Sequence, residues 1–263
     1  MKIVAMECGG ASTYLVAVEV WGDNAQIAAT ATIEEPRALS RLLMARFDAL
    51  LQDANWKLEE LESLALGIGP GSWTSLRIGT SSFKTLAQTL GIGLAGVPTF
   101  DALASATYRA RLDAAPRRKK SKNRDLDVQI LLALSPCRPG EFYGKVFEMG
   151  ADYVSPAQGE WIADAKTHVD AAYCQCLSSE IEPPLLLCGD GTEAAAAYLE
   201  SRGEPFQLAQ IPGVAIALEI ALAGQALIES GEAGNPLEIA PLYLAPSHAE
   251  RYLAEKSGGV LPS

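Results

Sequence analysis

GIGPGSWTSLRIGTSSFKTLAQ, residues 67–88, is a glycine-rich turn followed by a segment with helical character. Three glycines and a proline occupy its first five positions, and glycine permits backbone angles and close approaches that other residues do not. Turns of this kind that open into helices often bind phosphate groups. Three interpretations are open: a tight strand-to-helix connection, a phosphate loop, or a surface that faces a partner. The candidate phosphate contacts are Gly69, Gly71, Ser72 and Thr74.

Two nucleotide-binding motifs are absent from this turn. A P-loop requires a lysine and a hydroxyl residue directly after its last glycine, and this turn has neither at that spacing. Its glycines follow the pattern G-x-G-x-G rather than the dinucleotide fingerprint G-x-G-x-x-G. The turn therefore does not match either of these motifs.

Strand and helix patterns alternate on both sides of the turn. Alternating apolar residues and turn residues predict strands, and apolar residues at helical spacing predict helices with one core-facing stripe. In the first half the predicted elements are three antiparallel strands within residues 2–33, a helix over 38–54, a strand over 64–68, a helix over 74–90, a strand over 94–97 and a helix capped by Thr99. In the second half they are strands over 128–134, 142–147 and 185–188, helices over 192–201 and 213–229 with Gly231 as C-cap, and a short apolar segment over 241–244. This order predicts an α/β protein with mixed sheets and helices on their faces.

Composition and charge narrow the class of protein. The chain has 263 residues, of which 49% are hydrophobic, so a sizeable core is expected. The net charge of -11 disfavours general nucleic-acid binding, which requires lysine and arginine. The sequence contains no run of about 18 apolar residues, so no membrane-spanning helix is predicted. The N-terminus does not resemble a secretion signal, and we therefore expect a cytoplasmic protein. The five cysteines form no C-x-x-C pair, so no zinc site or disulfide framework is predicted.

One segment departs from this acidic composition. Residues 109–124 contain eight lysines and arginines and a single acid, Asp113. A basic run between folded segments is typical of a solvated loop. The alternative is a loop that contacts phosphate groups of an RNA.

Few residues could carry catalysis. Ser72 lies outside the G-x-S-x-G pattern of serine hydrolases, and the histidines that could activate it, His168 and His248, fall in polar segments expected to be exposed. The sequence contains no paired-histidine motif such as H-x-x-x-H, so no metal site of that kind is predicted. Glu7 follows the first strand and is expected to be solvated, with magnesium binding or water orientation as the alternative.

The turn and the segments after it resemble the TsaB (YeaZ) family. Residues 69–77, G-P-G-S-W-T-S-L-R, are similar to the family pattern G-P-G-S-F-T-G-L-R, and residues 91–104, G-I-G-L-A-G-V-P-T-F-D-A-L-A, resemble its continuation. Weaker similarities follow in the same order at 131–143, 186–191 and 241–244. Differences from the family pattern include Glu7-Cys8-Gly9 in place of D-T-S, Leu39-Ser40-Arg41 where a histidine is usual, Ser75 in place of glycine, and Ser135-Pro136 in place of an aspartate.

The resemblance implies a fold of two ribonuclease-H-like subdomains of the ASKHA type, the architecture of actin, sugar kinases and Hsp70. Each would be a mixed sheet flanked by helices. The implied division is a first subdomain over 1–108 onto which helix 213–230 packs back, a basic loop over 109–125, a smaller, degenerate subdomain over 126–244 and a tail over 245–263.

The resemblance also implies a function. TsaB-like proteins are non-catalytic subunits that support the TsaD transferase in forming N6-threonylcarbamoyladenosine in tRNA. The implied partners are TsaD-like and TsaE-like proteins, tRNA through the complex and a second copy of the chain when alone; no cofactor is implied except ATP or ADP at an interface of the complex. The alternatives are a stand-alone ASKHA ATPase or phosphotransferase that uses Glu7, and a glycoprotease-like peptidase that uses Ser72.

In this family the partner surface is formed by the two helices predicted here over 38–54 and 74–90. Small residues on the second helix would let a partner helix approach closely, and apolar residues would provide contact area. The residues expected at this interface are Met44, Phe47, Arg77, Gly79, Ser82 and Phe83.

Overall fold

The computed structural model describes residues 1–22, 24–115, 128–244 and Lys256. Two β-sheets with helices on their faces form an α/β fold, which is the expected class. Residues 117–124, with most of the basic run, lie outside the described residues, as do His248 and the tail apart from Lys256.

The first sheet is built by the N-terminal half of the chain. Its elements are β1 (Lys2–Glu7), β2 (Thr13–Trp21), β3 (Asn24–Ile33), α1 (Leu39–Asp53), β4 (Ser63–Gly67), α2 (Trp73–Leu90), β5 (Gly93–Val97) and α3 (Thr99–Ala114). The strand order is β3-β2-β1-β4-β5. Strands β1 to β3 are antiparallel neighbours, as predicted, while β4 and β5 run parallel to β1. The carboxyl ends of β1, β4 and β5 therefore meet at one edge of the sheet.

The second sheet repeats this path. Its elements are β6 (Gln129–Arg138), β7 (Glu141–Met149), β8 (Val154–Pro156), β9 (Trp161–Ala163), α4 (Ala165–Ser178), β10 (Leu185–Cys188), α5 (Thr192–Arg202), β11 (Phe206–Ala209) and α6 (Gly213–Glu229). The order is β11-β10-β6-β7-β8, with β9 also paired to β7. In each sheet the first strand is central, with its antiparallel hairpin partner on one side and a parallel strand on the other.

The last helix of each half packs against the sheet of the other half. α6 buries Ala217, Ile220 and Ala221 against β1, β2 and β4 of the first sheet. α3 buries Phe100 and Leu103 against the second sheet. An ion pair between Arg109 of α3 and Glu219 of α6 joins the two helices. The two halves are therefore interlocked, and α3 continues to Ala114, beyond the boundary expected at residue 108.

Helices α1 and α2 cover the opposite face of the first sheet. The leucine stripe of α1 is buried, as its spacing predicted. The rings of Phe47 and Phe83 meet edge to face with centroids 6.0 Å apart and link the two helices. Burial of each such side chain stabilises the fold by about 1.5–3 kcal/mol.

Candidate functional site

The glycine turn between β4 and α2 packs against the turn that connects β1 and β2. A Cβ atom on Gly71 would lie 2.5 Å from the carbonyl oxygen of Gly9, so only glycine fits there. The backbone N–H of Ser72 donates to that same oxygen at 2.8 Å. The Ser72 hydroxyl accepts a hydrogen bond from the Ser75 N–H and caps α2. Gly71 and Ser72, two of the predicted phosphate contacts, thus pack against Gly9 or form hydrogen bonds with Gly9 and Ser75.

Thr99 connects this turn to the end of β1. The sequence predicted that its hydroxyl caps α3, but the helix begins at Thr99 itself, after Pro98, and has no side-chain cap. The hydroxyl instead accepts a hydrogen bond from the Gly69 N–H at 3.2 Å and donates one to Glu7 Oε2 at 2.9 Å. The cap prediction is therefore wrong, because this hydroxyl bonds to Gly69 and Glu7 instead of the free amides of the helix.

Glu7 is a buried acid, not the solvated one that the sequence suggested. Its side chain is 4% exposed, and Oε1 accepts a hydrogen bond from the Gly9 N–H at 2.6 Å. Burial raises the pKa of Glu7, and the nearby charge of Asp190 raises it further, while the hydrogen bonds from Gly9, Thr99 and Cys8 lower it. Gly67, the last residue of β4, leaves room for this side chain, since a Cβ there would lie 2.0 Å from the Glu7 carboxylate.

Glu7 and Asp190 line a small cavity between the two halves of the molecule. Its volume is about 90 Å³, whereas pockets for nucleotide-sized ligands span roughly 300–1,000 Å³. No lysine, arginine or histidine is among the described residues that line it. A more open groove of about 480 Å³ adjoins the cavity and also includes Asp190. Glu7 accepts hydrogen bonds from the Gly9 N–H and the Thr99 hydroxyl, and Asp190 adds a second acid, so no described side chain that lines the cavity supplies a positive charge for a phosphate group.

His168, the histidine in the described part of the chain, does not line this cavity. His168 on α4 is fully buried, not exposed as expected, with Nε2 2.9 Å from the carbonyl oxygen of Phe142 and its ring 4.6 Å from that of Trp161. This contact makes Nε2 the protonated nitrogen, and burial lowers the pKa of the ring. Ser72 pairs with Ser75 at 3.0 Å, and no histidine in the described part of the chain contacts it. The geometry does not form a serine–histidine pair.

The six residues expected at a partner interface separate into two groups. Phe47 is 2% exposed, Phe83 is fully buried, and a Cβ on Gly79 would lie 2.8 Å from Cys8 Sγ. These three pack inside the chain and cannot contact a partner unless the core opens. Met44 is 46% exposed, Arg77 is exposed and Ser82 is half-buried. The exposed surface of the two helices is therefore narrower than the sequence suggested, because the spacing of the apolar residues marks the face turned inward.

A C-terminal segment that sequence patterns did not place in the fold lies along α2. Residues 235–243 contain one short 3₁₀ helix and no strand. Lys84 Nζ donates to the carbonyl oxygen of Leu237 at 2.8 Å, and the Leu242 N–H donates to that of Ile68 at 2.8 Å. The rings of Trp73 and Tyr243 stack with centroids 3.7 Å apart. This segment, named here the C-terminal strap, thus fastens the glycine turn and the start of α2.

Part of the chain is similar to proteins described as acting in tRNA modification. Residues 30–116 match the family model described as "TsaD: tRNA N6-adenosine threonylcarbamoyltransferase". The chain is 30% identical over 105 residues to the tRNA threonylcarbamoyladenosine biosynthesis protein TsaB of Bacillus subtilis (strain 168), a match that covers 40% of this chain and 44% of that protein. It is 31% identical over 86 residues to an uncharacterized protein of Mycobacterium tuberculosis (strain H37Rv), covering 33% of this chain and 41% of the relative. The chain spans about two-fifths of the length of the curated relatives it matches.

The fold matches over almost the whole chain. YeaZ from Pseudomonas aeruginosa superimposes with a TM-score of 0.62 at 18% identity, over 92% of this chain and 100% of that structure. A second Pseudomonas aeruginosa structure, described as similar to peptidase YeaZ, gives a TM-score of 0.64 at 18% identity over 93% of this chain and 99% of that one. Together, these comparisons show that the chain is similar in sequence to TsaB over part of its length and similar in fold to YeaZ over almost all of it.

Proposed function

We propose that this chain is a non-catalytic TsaB-like subunit that binds a TsaD-family transferase and supports it in forming N6-threonylcarbamoyladenosine in tRNA. The role in this modification is supported by the named Bacillus relative and by the matched family. The further partners in the proposal are a TsaE-like protein and tRNA, the latter reached through the complex. ATP or ADP would bind at an interface of the complex and not in the cleft of this chain.

The observation that carries the non-catalytic part of the proposal is the small, acidic cavity beside Glu7. A phosphoryl-transfer site needs cations or backbone donors that face the transferring phosphate. Here the Gly9 N–H and the Thr99 hydroxyl donate to Glu7, and Asp190 adds further negative charge. The geometry therefore favours a supporting subunit over a stand-alone ATPase or phosphotransferase.

The proposed docking surface is the exposed side of α1 and α2. Met44 supplies an exposed apolar side chain on α1, while Ser81 and Ser82 leave α2 without bulk at its outer side. Small residues allow a partner helix to approach closely, and an exposed apolar side chain gains free energy when covered. Without its partner the chain would self-associate through the same surface.

Co-purification with the TsaD-family protein of the same cells tests the proposal. Ser82→Arg places a long charged side chain on the docking surface and is expected to abolish the complex without changing the thermal unfolding temperature. Ser201→Arg, at an exposed position on α5 of the second half, is the matched control and should bind as the wild type does. Normal binding by the Ser82 variant would refute the surface. Turnover of ATP by the isolated chain that Glu7→Gln removes would refute the non-catalytic assignment.

A further inference from the structure

Four arginines without partners lie on, or directly before, the helices of the proposed docking surface. Arg37 lies in the 3₁₀ helix that precedes α1, Arg41 and Arg46 lie on α1, and Arg77 lies on α2. All four side chains are exposed. None forms an ion pair or a hydrogen bond with another residue in the described part of the chain.

The remaining described arginines behave differently. Arg109 pairs with Glu219, Arg138 pairs with Glu141, and Arg202 pairs with Asp170 and Glu204. Arg111 also has an interaction partner. Among the described residues, the arginines without partners thus lie on α1, on α2 and in the 3₁₀ helix directly before α1.

The surroundings of Arg77 contain no acid that could pair with it on its own helix. α2 has no aspartate or glutamate from Trp73 to Leu90, and its other cation, Lys84, is bound to the C-terminal strap. On α1 the acids are Asp48, which accepts a hydrogen bond from Gln52, and Asp53 in the last turn. α2 is therefore cationic, whereas the arginines near α1 are accompanied by acids on both sides, Glu34 and Glu35 before it and Asp48 and Asp53 on it.

An apolar contact adjoins these charges. Met44 is exposed, and Leu42, Ile78 and Leu86 are only partly buried where they pack on the core. Protein interfaces commonly combine an apolar centre with arginine, whose planar guanidinium binds carboxylates through two parallel hydrogen bonds. RNA, in contrast, is bound through extended basic surfaces that track its phosphates, and Asp48 and Asp53 would interrupt such a surface.

We infer that the docking surface recognises a protein partner that presents carboxylates to Arg41 and Arg77 beside an apolar contact at Met44. This inference rests on the proposed function and specifies the chemistry of the partner. A second copy of the chain fits less well, because a two-fold packing would bring Arg77 and Lys84 of one α2 toward the same cations of the other. The partner would therefore attract the arginines of the docking surface, whereas a second copy would repel them.

This difference predicts opposite effects of salt. Salt screens exposed charges, so raising it from about 50 mM to about 500 mM NaCl weakens attraction between arginines and carboxylates. The same change relieves repulsion between two cationic surfaces. The complex with the partner should therefore weaken with salt, whereas self-association should strengthen.

The experiment measures the dissociation constant of the full chain and the TsaD-family protein from the same cells at both salt concentrations. Arg77→Glu and Arg41→Glu are each expected to weaken binding by about tenfold or more at low salt and by much less at high salt. Arg77→Lys retains the charge and should lose less than Arg77→Glu. Lys166→Glu makes the same change in net charge at an exposed site on α4 and should leave binding unchanged. Circular dichroism and thermal unfolding of each variant confirm that it folds.

Each result distinguishes the inference from the proposed function. If the wild type binds but Arg77→Glu and Arg41→Glu bind equally well at low salt, the inference is overturned while the proposed function stands. Loss of tRNA binding in the arginine variants with unchanged binding to the TsaD-family protein also overturns it, in favour of phosphate recognition. If the wild type itself does not bind the TsaD-family protein, the proposed function fails.

Discussion

The carboxyl group of Glu7 lies under two glycine turns, so its protonation is coupled to folding. Burial is the largest cause of its raised pKa, and the charge of Asp190 acts in the same direction. The folded chain therefore retains a proton on Glu7 at pH values where the unfolded chain has released it. The resulting stability is fully present below about pH 4.5, the ordinary pKa, and is lost as the pH rises through the raised pKa of the folded state.

Glu7→Gln replaces this acid with a neutral side chain of similar shape. The stability of the variant relative to the wild type should increase as the pH rises above about 4.5 and then level off, because only the wild type must bury a charge there. Urea unfolding of both proteins across this range measures the difference. His168, whose lowered pKa reduces stability as the pH falls below about 6.5, affects both proteins equally and cancels. A difference that shrinks with rising pH would contradict the buried charge.

Gly71, in the turn before α2, packs closely against Gly9, in the turn after β1. A methyl group there would lie 2.5–2.8 Å from the oxygen, Cα and carbonyl carbon of Gly9. Gly71→Ala should lower the free energy of unfolding by about 1–3 kcal/mol, because backbone atoms must move apart. Chemical denaturation measures this loss. Gly159→Ala is the control, since its Cβ would meet no atom within 4 Å, and an equal cost in both variants would argue against the close contact.

Among the elements, the C-terminal strap has the least regular structure and a defined set of contacts. It binds the turn before α2 through Leu242, packs Ile239 on the core and stacks Tyr243 on Trp73. Since Trp73 is the first residue of α2, this stacking holds the strap against the start of that helix.

Tyr243→Ala removes the ring that stacks on Trp73. Aromatic pairs contribute about 0.5–1.5 kcal/mol beyond the area they bury, so the variant should lose roughly 1 kcal/mol of unfolding free energy. Urea unfolding followed by circular dichroism measures the loss. Tyr243→Phe keeps the ring and should behave as the wild type does; equal losses in both variants would exclude stacking as the cause.

At the scale of the whole molecule, the exchange of α3 and α6 makes each half depend on the other. Ile220 of α6 is fully buried against the first sheet, although α6 follows the last strand of the second sheet. The buried Lys145 on β7 forms ion pairs with Asp101 of α3 at 2.6 Å and with Glu160 at 2.8 Å. The burial of Ile220 and the pair between Lys145 and Asp101 each join one half of the chain to the other.

We expect the chain to unfold in one cooperative transition for this reason. Ile220→Ala should lower the stability of the whole chain by about 2–5 kcal/mol, through a cavity in the first sheet's core, and shift that single transition. Differential scanning calorimetry tests this, with the calorimetric and van't Hoff enthalpies expected to agree. Two separated transitions, of which only one shifts in the variant, would contradict the interlocking of the halves.

Local patterns were sufficient for part of the fold. The stripe of α1, the glycine turn, the helix after it and the buried strand over residues 185–188 were predicted, because spacing and turn chemistry act over a few neighbouring residues. Strands β8 and β9 have three residues each, too few for a periodic pattern. α4 has a mixed sequence in which its buried histidine was taken as a polar surface residue. These elements depend on contacts that no local window contains.

The sequence by itself determined the α/β class, the elements next to the glycine turn and the resemblance to the TsaB family. Only the tertiary structure decided which side of each helix is free: it buried Phe47 and Phe83, left Arg77 without a partner and placed Glu7 beneath Gly9 and Thr99. The physical reason is that burial and pairing arise between residues far apart in the chain, such as Glu7 and Thr99 or Arg109 and Glu219. Periodicity shows which side of a helix is apolar, but only packing shows what that side covers.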